Sequence, residues 1–578
     1  MYYVFYLYST LVSAEILSYF GIFTTSNFRN ISYFIIGITL VVATYSARSE
    51  SIHLTYLLKK SFPLLILILT STTVTGLFIA QNLPDSMTYH LPRYLHYFQL
   101  HSLDSYYSTN VRQLYSPHLP DLLFAQSFVV FNTDRFLFLP TVLSVFTASI
   151  YVYKITFLLT KDQYVSLVSF VLSLMVPSQL SFLSSTQTDP LATALVVVLL
   201  YYVMSFRYTQ NMKDFLKVVT LIPLFIVSKT TGLILSIPIF LYYVLKYRRF
   251  IYENKGKITL YSLLTIIPSF PYVFRTFENL RIGSTGVFVS DITPSGIFAN
   301  FARMLFSSIQ TPIIAINNFL ENFLTNLFRI LKLEINPIGY GNYGDFYLSN
   351  DLHGDVVGNT FYVLFLTIAM ISLFKFKNYR KLILLILAQA FLLSSIVGWQ
   401  PWVNRFTSTL FVIGSIMTAI YFCRKKLGIL FITFSLLFSS FWIFYNPTRS
   451  LLDPRSLTSV AQRLGVEIPE TVPYHLIQPR EIQYFALNPE IQNSYLEAID
   501  TFNNKRTNEL FISIGSNDYE YPIWALTRFE VKIYHFENTK SQLNKLMKGN
   551  ATLFCTLDCS DLGLKLVYKG DFASLWSG

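Results

Sequence analysis

The chain has 578 residues, 53% of them hydrophobic and 13% charged, with a mean hydropathy of +0.45. That charge content is about half the ~25% of an ordinary soluble domain, and the apolar runs approach the ~20 residues that cross a bilayer, which excludes a simple soluble enzyme. The net charge of +12 does not point to nucleic acid, because the basic residues sit in short loops between apolar runs, as the positive-inside rule expects.

The first 25 residues read as a span and not as a cleavable signal, since no basic region precedes the apolar stretch and no small-residue cleavage site follows it. Hydropathy places 13 transmembrane helices at about 4–24, 30–46, 61–80, 136–158, 163–185, 190–206, 215–228, 231–246, 258–275, 357–374, 382–398, 405–423 and 427–445. The pair 215–228 and 231–246 is short and also fits a single re-entrant hairpin. Basic residues crowd into alternate loops, from Arg48, Lys59 and Lys60 to Arg424, Lys425 and Lys426. Those loops are expected to be cytoplasmic, which puts the N-terminus inside and residues 446–578 outside. Three outward segments are then large: 81–135, 276–356 and the tail 446–578. Seven of the eight histidines, all but His53, fall in them, so the chemistry is expected to face outward.

The first outward segment opens on Asp85, close to the membrane boundary. Leu91, Tyr94, Leu95 and Phe98 then recur at helical spacing behind Pro92, which predicts an amphipathic helix along the membrane surface. His90 and Arg93, one turn apart, are placed to face a phosphate together. His96 and His101 read as a solvated face, and His118 follows further along. Asp85 can also be read as a helix cap. A second carboxylate, Asp189, stands at the outer end of a span before Pro190, where capping is again the plainer reading. Both carboxylates lie on one side at similar depth, a pattern that suits a base and an acceptor hydroxyl, or a divalent metal ion. Lys229 and Arg405 are cations at outward span ends, where the charge bias disfavours them. They either snorkel or bind a lipid phosphate, Arg405 the better through its planar fork. In "NDLHGDVVGN" (350–359), Asp351, His353 and Asp355 cluster just before a span, as a polar loop or as substrate ligands. The histidine spacings match no metal motif.

The tail differs in kind. "LFISIG" (510–515), "VKIYHF" (531–536), "ATLFC" (551–555) and "LKLVY" (564–568) read as strands, with helical stretches between the first three. A small extracytoplasmic α/β domain is expected at 446–578, beside a membrane domain at 1–445. Tyr521 and Trp524, next to Asp518 and Glu520, either bind saccharide or pack at the start of a helix at Pro522. Cys555 and Cys559 can pair in an oxidising compartment, although their spacing does not decide it.

In order along the chain, "DSMTYHLPR" (85–93), "STQTDPLA" (185–192), "VSKTTG" (227–232) and "WQPWVNRF" (399–406) resemble motifs of the GT-C superfamily of integral-membrane glycosyltransferases. The resemblance is to family 39-like members, the protein O-mannosyltransferases and the aminoarabinose transferase of lipid A. Thr230 stands where that family usually has Gly. "NVRQLYSPHLPD" (110–121) and "SNDYEYPIWAL" (516–526) resemble segments of uncharacterised members. The resemblance implies a GT-C-like polytopic fold and a polyprenyl- or dolichyl-phosphate sugar donor, with Asp85 as the first-loop acidic residue, Asp189 in the second acidic segment and Arg405 in the late basic motif. The expected activity is inverting transfer of a sugar to a lipid, glycan or protein acceptor in the cell envelope, with Asp85 as general base. Two other classes stay open, a transporter or flippase of a lipid-linked saccharide and a non-enzymatic assembly protein. Internal repeats and midplane charges, the marks of many transporters, are not seen in the sequence.

Overall fold

The computed structural model describes residues 2–49, 51–283, 293–336, 345–351, 353–446, 448–463, 474–505, 507–528 and 530–578. Parts of the expected outward loop 276–356 therefore lie outside the described residues. Among them, eight helices are long and apolar enough to cross a membrane: Thr25–Tyr45, Thr55–Phe78, Asp134–Thr160, Asp189–Thr209, Lys255–Phe277, Gly354–Leu373, Lys377–Ile396 and Asn404–Phe422. Each corresponds to one of the spans expected from hydropathy. Of the other five expected spans, three form single helices, Tyr2–Tyr19, Thr230–Lys246 and Lys426–Phe444, and two are broken. Helix Gln163–Leu174 stops ahead of Pro177, and the chain from Met175 to Thr188 is irregular and buried, in keeping with the bias of residues before proline against helix. The stretch expected at 215–228 divides into Met212–Val219 and Leu221–Ser228.

Helix Asp189–Thr209 is the axis of the membrane part. Helices Leu139–Thr160, Thr230–Lys246 and Asn404–Phe422 pack around it, and most of it is buried, Leu191–Leu200 almost entirely with apolar side chains. Apolar residues gain little from burial when the alternative is lipid, so close packing and hydrogen bonds hold such helices together. Thr193 and Thr409 share a hydroxyl hydrogen bond at 2.8 Å across one contact. At another, a Cβ on Gly232 would lie 2.9 Å from Ala192 Cβ, so glycine there lets helix Thr230–Lys246 approach.

The first outward segment is not a helix lying on lipid. Helix Leu91–Leu100 forms at the expected place, but Leu91 to Tyr94 and His96 to Phe98 are all buried. The reason is the tail, which covers its second face. Gln99 exchanges hydrogen bonds with the backbone of Ile533 at 2.8 Å. His96, expected in solvent, gives or takes a hydrogen bond at 2.6 Å with Glu520, which is fully buried. His101 does end exposed, in the left-handed region at φ 58°.

The tail contains a five-stranded sheet of β1 Glu509–Ser513, β2 Lys532–His535, β3 Thr552–Cys555, β4 Lys565–Lys569 and β5 Ser574–Ser577, in the order β2-β1-β3-β5-β4. The first three pair in parallel, and β5 and β4 add an antiparallel edge. Helices Tyr521–Leu526 and Lys540–Met547 make the parallel crossovers. The sequence signal missed β5. Cys555 and Cys559 are disulfide-bonded. The tail also reaches the first outward segment at Asp134, which accepts hydrogen bonds from Arg480 at 2.7 Å, Tyr484 at 2.8 Å and Tyr521 at 3.3 Å.

That convergence makes Asp134 a test of the docking. Asp134→Ala leaves the partly buried Arg480 without its partner and is expected to cost on the order of 2–3 kcal/mol, against about 1 kcal/mol for Tyr521→Phe. Thermal unfolding of the purified protein measures both; equal, near-zero shifts would contradict the arrangement.

Candidate active site

Two acid–base pairs form where the irregular ends of several spans meet. Asp85 precedes a single π-turn, Ser86–His90, but its side chain makes no cap hydrogen bond. It instead accepts from Arg405 Nη1 at 2.8 Å. Asp189, the first residue of its helix, likewise does not cap it; Thr188 holds the cap position. Its carboxylate accepts from Lys229 Nζ at 2.6 Å. The capping alternatives therefore do not describe these two side chains. Lys229 Nζ and the Arg405 guanidinium both approach the Phe406 ring, at 5.8 and 5.1 Å from its centroid, so the two pairs share one aromatic wall.

The segments carrying the carboxylates are tied together at the backbone. Ser86 and Thr186 share a hydroxyl hydrogen bond. Gln81 donates to the carbonyl of Ser184 at 3.3 Å and accepts from Thr186 at 3.3 Å. Buried Arg449 clamps both strands of chain, donating to the carbonyls of Ser184 at 2.6 Å and Ala80 at 2.8 Å and to Gln81 Oε1 at 2.9 Å. Arg449 was not among the sequence candidates, and no local pattern marks it.

The later loop joins the same site. Asp355 Oδ1 lies 3.7 Å from Arg405 Nη1 and accepts from Gln187 Nε2 at 2.9 Å. His353 Nδ1 accepts the backbone N–H of Asp355 at 3.2 Å, so a neutral His353 carries its proton on Nε2. Arg112 is a third cation near Asp85. It sits 5.0 Å from the Tyr89 ring and reaches the tail through Asn517 Oδ1 at 2.9 Å. Burial works against ionisation of Asp85, yet Arg405, with His90, Lys229 and Arg112 behind it, holds the carboxyl well below the usual carboxylate range.

Other expected residues are engaged elsewhere. His90 and Arg93 do share a face, but they turn it to Asp121, at 2.6 and 3.1 Å. Arg93 is further fixed by Tyr97 and the carbonyl of Ser116, which leaves it no fork for a phosphate. His118 faces Glu15 at 3.3 Å and packs edge-on to Tyr272. Tyr521 is buried against Tyr484, and the partly buried Trp524 donates to Glu520 and abuts His96, so both contribute to the interface. Asp85 and Asp189 each have a cation of their own.

Comparison with known proteins places this architecture. Residues 117–273, a little over a quarter of the chain, match the family model described as dolichyl-phosphate-mannose-protein mannosyltransferase. The likeness to solved structures is one of fold, a polytopic helical membrane part with a small C-terminal sheet domain. Among solved structures, ArnT from Cupriavidus metallidurans bound to undecaprenyl phosphate is similar over 90% of this chain and 98% of its own, with a TM-score of 0.51 and 10% sequence identity. The apo state of the same protein gives a TM-score of 0.49 at the same coverage and identity. No curated protein sequence matches the chain.

The buried Asp189–Lys229 pair generates a stability test. Asp189→Asn strands an ammonium group that is only 17% exposed and is expected to cost on the order of 3 kcal/mol. Adding Lys229→Met removes the stranded charge and is expected to recover most of that loss in a thermal melt. A double variant no more stable than Asp189→Asn would show that the pair is not the source of the cost.

Proposed function

We propose that the chain is a polyprenyl-phosphate-dependent glycosyltransferase that acts at the outer membrane face. It transfers a sugar with inversion to an extracytoplasmic lipid, glycan or protein acceptor. The observation that carries this reading is the contact between Asp85 and Arg405, one carboxylate and one guanidinium placed at the same end of the spans. Nucleotide sugars are cytoplasmic, so an outward site needs a sugar carried by lipid. An apolar cavity of about 100 Å³, bordered by Met304, Leu366, Ile386 and Phe411, reaches Ser308, at the end of helix Pro294–Ser308, and Thr407, in the first turn of the helix that bears Arg405. It offers a course for a prenyl chain whose phosphate meets Arg405 and Lys229. The N-terminus is taken as cytoplasmic and the tail as extracytoplasmic, from the basic loops.

The chemistry follows from competition for one arginine. A carboxyl held low by Arg405 is a weak base. When the donor phosphate takes the guanidinium as its bidentate partner, Asp85 loses its counter-ion and becomes more basic. It then accepts the proton of the acceptor hydroxyl as that oxygen bonds to the anomeric carbon. The bond from that carbon to the phosphate oxygen breaks with its electron pair, leaving polyprenyl phosphate. Arg405 and Lys229 stabilise the charge that collects on the leaving phosphate. No acid is required, in contrast to the carboxyl pair of glycoside hydrolysis. Asp355, His353 and Gln187 flank the pair and are assigned to the sugar. A transporter or flippase would need a path open to both sides, whereas these polar groups gather at one end.

Comparing lipid-linked sugars and envelope glycans with and without the protein identifies the substrates. Asp85→Asn is expected to lower transfer by about 10²–10⁴-fold while binding undecaprenyl phosphate as tightly as before or more tightly, because the competitor for Arg405 has lost its charge. Arg405→Ala should weaken lipid binding, and Arg405→Lys should restore it only in part. An Asp85→Asn protein that still transfers sugar would overturn the assignment of the base.

A further inference from the structure

Three buried side chains meet where the tail covers the first outward segment. His96 comes from helix Leu91–Leu100, Glu520 from the turn before helix Tyr521–Leu526, and His535 from the end of β2. His96 Nε2 is 2.6 Å from Glu520 Oε1, and His535 Nε2 is 3.2 Å from Oε2. One ligand atom from each lies within 4.8 Å of the others, an arrangement found at this place alone among the described residues. It is separate from the Asp85 and Asp189 site.

The surroundings are those of a held donor set. Gln113 Nε2 donates to Glu520 Oε2 at 2.6 Å, and Trp524 Nε1 donates to Oε1 at 3.0 Å. Gln113 is itself fixed by donating to the carbonyl of Thr88 at 2.9 Å and accepting from Tyr106 at 2.8 Å. Tyr106 stacks on His96 with ring centroids 4.4 Å apart. Thr109 Oγ1 lies 3.5 Å from His535 Nδ1, the outer-ring contact that aims the other nitrogen inward. Metal-bound histidines and carboxylates carry outer hydrogen bonds of this kind. Two imidazole nitrogens and a carboxylate oxygen suit zinc above the harder cations.

We propose that His96, Glu520 and His535 bind a divalent transition-metal ion, zinc by the chemistry of the donors, which fastens the tail to the first outward segment. Tetrahedral zinc with bonds of about 2.0–2.2 Å sets its ligand atoms roughly 3.3 Å apart, so a donor set whose atoms lie within 4.8 Å of one another closes on the ion with shifts of up to about 1.5 Å. The metal takes the place of the proton held between His96 Nε2 and Glu520 Oε1, so uptake releases that proton and weakens in acid. Ser108 Oγ, 3.2 Å from His535 Nε2, borders the remaining coordination position.

The test is the metal content of the full-length protein, purified in detergent without chelators and measured by inductively coupled plasma mass spectrometry. Roughly one zinc per chain is expected. Chelation should lower the thermal unfolding temperature, and added zinc should restore it. Cobalt(II) in place of zinc should give visible absorption bands of a low-symmetry four- or five-coordinate site. His96→Ala and His535→Ala should each lose the metal. A wild-type protein without bound metal that neither zinc nor cobalt(II) stabilises would overturn the proposal, and so would full metal retention in folded His96→Ala or His535→Ala protein. The wild-type measurements decide the matter even where a variant does not fold.

Discussion

The ion pair between Asp85 and Arg405 is the constraint around which the membrane part is arranged. Neither charge is tolerable alone where water is scarce, and removing either would strand the other. The two residues stand 320 positions apart, so the pair fixes the end of one span against the start of another. Its geometry is maintained from below by residues with no chemistry of their own. Arg449 clamps the backbone at Ala80 and Ser184, and Gly232 lets the helix after Lys229 close on Ala192. A phosphate that enters this site meets a guanidinium already placed and already neutralised. Binding is then an exchange of partners, in which the phosphate gains the guanidinium and Asp85 gives it up. That exchange links donor binding to the basicity of Asp85, and gives a reason for a base to be held in a weak state until the donor arrives.

The tail extends the same logic outside the membrane. Its contacts with the first outward segment are polar and at least partly buried: Glu520 with His96 and His535, and Asp134 with Arg480. Through Arg112 the tail also touches the neighbourhood of Asp85, since that residue lies near Tyr89 and bonds Asn517. A tail held this firmly is part of the wall of the site, and its aromatic residues serve the seam.

What the sequence made legible, and what it hid, follows from the range of each signal. Long apolar runs report on lipid directly, so the eight longest spans were found. Runs interrupted by proline, such as the one at 163–185, looked continuous because hydropathy averages over the break. Asp85, Asp189, Lys229 and Arg405 stood out because ionisable groups are costly near lipid and all four fell at span ends expected to face outward; how they pair is set by the fold. The helical spacing of His90 and Arg93 was correct, but periodicity gives a face and not its partner, and Asp121 occupies it. Arg449 and Asp134 were invisible, because what makes each of them matter lies hundreds of residues away. Tyr521 and Trp524 show the converse: aromatic residues beside carboxylates suit a sugar and suit a buried seam equally well, until burial is known.

The central claim, that donor phosphate and Asp85 compete for Arg405, is open to direct observation. Difference infrared spectra of the purified protein, titrated with undecaprenyl phosphate, report the carboxylate stretch of Asp85 once the band absent from Asp85→Asn protein is assigned. The account predicts that this band shifts on lipid binding, as Arg405 leaves it, and that Arg405→Ala protein starts in the shifted position. A band that stays fixed while the lipid binds at saturation would contradict it.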